Sequence, residues 1–162
     1  MPQVDFYILP SADPLARLDF ACKLTEKAWR MGHRIYLHCS DAAQRDELDA
    51  RLWRFKGESF VPHSNSEDQP DGVVVMGCAD APASHQDLLI NLDLNVPEFF
   101  KRFARVAEVA DGNALRLAGC AGIDEKFGYA VNGNDNVHLV DKLGVGLDCG
   151  EEAGARGPDF FL

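Results

Sequence analysis

The alternation of apolar and polar positions divides the chain into short β-forming runs and longer helical ones. Val4 to Leu9 is rich in β-formers, closes at Pro10 and Ser11, and predicts a first strand. A helix follows. Asp13 stands as its N-cap with Pro14 at the first helical position; Leu15, Leu18, Cys22, Thr25 and Trp29 recur at three- and four-residue steps, and Gly32 supplies the stop. Ile35 to Cys39 predicts a second strand, and Ser40 a cap for a second helix over 41–52 whose buried side carries Leu48 and Leu52.

The polar, turn-forming stretch 64–72 predicts a surface loop before the strand Val73 to Met76. Leu88 to Leu92 is a further strand. Asn95 is placed to cap a short helix holding Phe99, Phe100 and Phe103, and Arg105 to Val109 alternates like a final strand. Strand, helix, strand, helix predicts an α/β fold with a mostly parallel sheet flanked by helices.

The character changes near Asp111, because ten of the fourteen glycines lie between Gly112 and Gly157. The division expected is therefore an α/β domain over 1–111 and a Gly-rich region over 112–162, partly ordered at best. Within that region Val137 to Val140 forms a short strand candidate, and 150–158 reads as flexible chain.

A length of 162 residues suits one domain with a genuine core, and 46% hydrophobic and 26% charged residues are ordinary globular values. No apolar run is long enough to span a bilayer, and the first residues lack a signal-peptide pattern, so the expectation is a cytoplasmic protein. Cys22, Cys39, Cys78, Cys120 and Cys149 are odd in number and contain no CxxC pair, which predicts reduced thiols and no zinc site. A net charge of -10 repels phosphate backbones on average, so affinity for nucleic acid would need a local basic patch, and none is obvious. Lys23, Lys27, Arg30 and Arg34 share a helix side, where a solvated face beside Asp19 and Glu26 is the expected role.

Catalytic signatures fail in turn. There is no GxxxxGK[ST], and Gly144, Gly146 and Gly150 miss the GxGxxG spacing by one position, so that run is expected to be loop and no nucleotide cofactor is implied. His38 and Cys39 are adjacent on a strand and point to opposite faces, which opposes joint ligation or Cys-His catalysis. Asp46, Glu47 and Asp49 lie on the polar side of a helix, and Glu67, Asp68 and Asp71 in a loop, so neither group signals acid-base work. No catalytic, metal or cofactor residue is expected.

What remains is aromatic. Trp53 is one residue beyond Leu52, about 100° around the helix from the buried stripe, and Phe60 follows a link containing Gly57. Such residues are more often core than surface, but an exposed pair would make a docking site.

Three strings here, Ala28 to Ile35, Asp46 to Trp53 and Glu58 to His63, resemble the chi subunit family of bacterial DNA polymerase III holoenzyme, over roughly Val4 to Val109. The resemblance implies a Rossmann-like fold without a nucleotide-binding loop, and a non-catalytic accessory subunit of a DNA-directed DNA polymerase (nucleotidyltransferase) complex. Its implied partners are the psi subunit, which tethers chi to the clamp loader, and the acidic C-terminal tail of single-stranded DNA-binding protein. The positions matching the psi-binding aromatics are Trp53 and Phe60, with Val61, Pro62 and His63 as neighbours. For the tail site the chain departs from the family's basic C-terminal helix, and Arg116, Lys126 and Tyr129 are the nearby candidates. A repair helicase using the same aromatic surface is compatible with this reading. The alternative from another class is a small nucleotide-dependent α/β enzyme working at the carboxyl ends of the strands.

Overall fold

A computed structural model describes residues 3–9, 13–54, 60–110, 136–140 and 146–148. Its elements run β1 (Gln3–Ile8), α1 (Pro14–Arg30), β2 (Ile35–His38), α2 (Ala42–Arg54), β3 (Ser64–Asn65), β4 (Val74–Gly77), β5 (Leu88–Asn91), a 3-10 helix (Glu98–Arg102), β6 (Arg105–Ala110), β7 (Asn136–Val140) and β8 (Gly146–Asp148). The strands form one sheet in the order β3-β4-β2-β5-β6-β1-β7-β8. Every pairing from β3 to β7 is parallel, and β8 runs antiparallel to β7. The six strands from β3 to β1, with α1 and α2, make the expected α/β Rossmann-like core.

Parallel strands need covered faces, because each crossover lays a helix or loop over the sheet. One face packs Tyr7, Leu37, Met76, Ile90 and Val109 against Leu18, Cys22 and Leu24 of α1 and Leu48 and Leu52 of α2. The other packs Val4, Phe6, Tyr36, Val75 and Leu89 against Phe103, with Val96, Phe99 and Phe100 lying over them.

The start and stop of α1 follow the expected chemistry. Asp13 accepts from the Leu15 amide at 3.0 Å, Pro14 opens the helix, and Gly32 takes the left-handed φ of 86° beyond the Met31 C-cap. Its buried face is broader than the predicted stripe: Phe20, Ala21, Leu24 and Ala28 join Leu18, Cys22 and Thr25, whereas Leu15 in the first turn is exposed.

Several expectations need correction. Asp41, not Ser40, caps α2: its Oδ1 accepts from the Gln44 amide at 2.7 Å, while Gln44 Oε1 reaches back to the Ser40 amide at 2.8 Å. The 3-10 helix begins after Pro97 without a side-chain cap, and Asn95 instead offers its carbonyl to the Asn91 amide group at 3.1 Å. Strand β6 is interior, between β5 and β1, and its apparent alternation breaks at Glu108, which is buried and accepts from Asn91 Nδ2 at 2.9 Å. Residues Gly146–Asp148, expected in a loop, pair as β8 with β7. The expected flexible stretch 150–158 lies outside the described residues.

Candidate functional site

Helix α2 carries Leu48 and Leu52 inward, one turn apart. Arg51, on another side, binds Asp19 of α1 and donates from Nε to Glu47 at 2.9 Å, so the last turns of α2 are fixed against α1. On that anchored end Trp53 projects away from the core with 61% of its surface exposed. Phe60 is 48% exposed, Val61 is buried in the core, and Pro62 is exposed.

The Trp53 and Phe60 rings lie 4.7 Å apart between centroids, tilted by 37°. His63 completes a triangle, 5.4 Å from Trp53 and 5.9 Å from Phe60. Its side chain has 0% exposure, with Nδ1 2.7 Å from the Val61 carbonyl and Nε2 2.9 Å from Asp49 Oδ1. Two outward rings thus stand on a third, buried ring. An arrangement of this kind presents apolar area with little conformational freedom to lose, which is the property of an interface anchor.

The structure brings together Trp53, Phe60, Val61, Pro62 and His63, with Val61 and His63 beneath the surface. Arg116, Lys126 and Tyr129 lie outside the described residues. The basic residues expected on one helix side are partly engaged locally, since Arg30 pairs with Glu26 at 2.8 Å and Arg34, which lies beyond the end of α1, donates to the Asp71 carbonyl at 2.9 Å.

The carboxyl ends of the parallel strands, where a nucleotide would bind in this fold class, hold a protein side chain. Arg17 donates to the Val109 carbonyl at 3.0 and 3.1 Å and to the Leu92 carbonyl at 2.9 Å, bracing the ends of β6 and β5. His38 and Cys39 do not act together: His38 faces Asp93 at 3.6 Å and Phe99, on the side of the second cluster, while Cys39 lies in the first. Burial pushes the Cys22 and Cys39 thiols up to about 12, and Cys78 is exposed. Among the described residues no three His, Cys, Asp or Glu side chains are grouped to hold a metal, and no helix is long and apolar enough to cross a membrane.

Asp49 was legible only as part of a polar helix side, yet it faces His63. The available signal was its spacing, four residues before Trp53, which places both on one face of α2.

Comparison with known proteins bears on the same region. The family described as "DNA polymerase III chi subunit, HolC" matches residues 1–119. The chain is 56% identical over 119 residues to DNA polymerase III subunit chi of Pseudomonas aeruginosa, covering 73% of this chain and 84% of that protein. It is 32% identical over 115 residues to the subunit chi of Haemophilus influenzae, covering 68% and 80%. Against that of Escherichia coli it is 30% identical over 115 residues, covering 67% and 78%. With its α/β core and the matching region spanning both aromatic positions, the chain belongs to the DNA polymerase III chi subunit family, whose members are accessory subunits in DNA replication.

Proposed function

We propose that this chain is a non-catalytic adaptor that links the clamp-loader complex, through the psi subunit, to single-stranded DNA-binding protein. The observation that carries it is the pair Trp53 and Phe60, two touching rings left half-exposed at the anchored end of α2. They are the contact residues for psi; Pro62 flanks them, and Val61 and His63 support them from below. A repair helicase that used this surface would compete with psi for it.

The adaptor unit comprises residues 1–111, and the Gly-rich region 112–162 supplies Arg116, Lys126 and Tyr129 toward the acidic tail of the single-stranded DNA-binding protein. Contact with DNA is indirect, in keeping with the net charge of -10, and the protein works in the cytoplasm. Because cations draw the acidic tail, that binding weakens as salt rises.

The test is co-purification with psi of a Trp53→Ala, Phe60→Ala double variant. Loss of psi from a folded variant is expected; retention at full strength rejects the assignment.

A further inference from the structure

Asp49 and Trp53 leave α2 on one face, a turn apart, and His63 is seated against both. The imidazole is fully buried although it lies among polar residues at the molecular margin, because Trp53 and Phe60 roof it over. Its Nδ1 is held by the carbonyl of Val61, a core residue. Its Nε2 has no aligned hydrogen bond, and the Asp49 carboxylate at 2.9 Å is the charge beside it. A buried ring nitrogen without a polar neighbour is costly, so this carboxylate favours the one ring orientation that keeps Nε2 facing α2.

The segment Phe60 to His63 is otherwise joined to α2 by Val61 packing and by ring contacts, which resist separation more than sliding. The 2.9 Å approach of His63 Nε2 to the Asp49 carboxylate adds a polar contact that opposes sliding. We infer that Asp49 and His63 are positioning residues that hold Trp53 and Phe60 in register before any partner arrives; the effect on partner affinity rests on the docking role proposed above. Neither residue need touch the partner. Their contribution is to reduce the freedom the two outer rings would otherwise surrender on binding.

The experiment uses the full chain in a Trp29→Phe background, so that fluorescence reports Trp53 alone. Asp49→Ala is expected to lower the anisotropy of Trp53 and to quicken release of purified psi by about fivefold to tenfold, the change residing in the dissociation rate. Thermal stability should fall only slightly, since the better helix propensity of Ala at this half-exposed site offsets part of the cost of leaving Nε2 without its neighbour. Asp49→Asn, which keeps an oxygen of similar position, should recover part of both effects. His63→Phe, which keeps a ring but removes its nitrogens, should loosen Trp53 in the same way.

Unchanged Trp53 anisotropy in Asp49→Ala and His63→Phe overturns the inference whatever psi does. Lowered anisotropy together with full psi binding by the Trp53→Ala, Phe60→Ala variant supports the positioning role and rejects the docking role instead.

Discussion

Trp53 touches Phe60 ring to ring across seven positions of sequence, while its neighbour Leu52 is sealed in the core. Under the proposed docking role, adjacent residues on α2 separate binding from stability. Trp53→Ala is expected to weaken psi binding at least roughly thirtyfold, the equivalent of ~2 kcal/mol, while Leu52→Ala costs roughly 2–5 kcal/mol of folding stability. Titration calorimetry with psi and urea denaturation of both variants make the comparison.

Asp5 is buried in β1, and Arg105 of β6 donates to its Oδ2 from Nε at 3.0 Å and Nη2 at 2.7 Å. Asp5→Ala removes one half of this pair. The loss should be about 3 kcal/mol, near the low end for a broken buried pair because Arg105 keeps some access to water. Urea melts should show a lower midpoint with an unchanged slope.

His38 and His85 are held below the ordinary histidine value of 6.5, chiefly by burial. For His85 the nearby Arg34 adds to the lowering, whereas for His38 Asp93 opposes it. Below the ordinary value the unfolded chain takes up protons that the folded one refuses. The stability these two confer is therefore complete above 6.5 and is lost as pH falls through their lower folded-state values. Denaturation midpoints between neutral and mildly acidic pH should fall, and His85→Gln should make that decline shallower.

Cys78 is exposed after β4, whereas Cys22 and Cys39 are buried with thiols pushed up to about 12. Alkylation requires a reachable thiolate. Brief iodoacetamide treatment of the native protein should modify Cys78 and leave Cys22 and Cys39 intact, as read by peptide mass mapping. Modification of all three should follow addition of denaturant.

Local chemistry was legible where a single residue type decides the backbone. Asp13 with Pro14 and Gly32 marked both ends of α1, and Leu48 with Leu52 marked the inner side of α2. Ser40 and Asp41 are equally good caps by type, so only geometry separates them. Glu108 looked like an outward residue because its polarity hides the partner that buries it, Asn91 on the neighbouring strand. Three-residue β8 carries no periodicity at all. At the candidate site, helical angle set Trp53 off the buried stripe, but residue type favoured core packing for both rings, and their exposure of 61% and 48% reverses that expectation. The seat beneath them was not legible, since Asp49 and His63 meet only after the chain has turned back.

Strand order also sets a distance. Strand β3, the next element after the aromatic end of α2, lies at one flank of the sheet, and β8 forms the opposite flank. Seven interstrand gaps of about 4.8 Å put the flanks roughly 34 Å apart. A polypeptide gripped beside β3 would leave the β8 flank uncrowded, so the sheet can serve as a spacer whose width keeps two visitors from colliding.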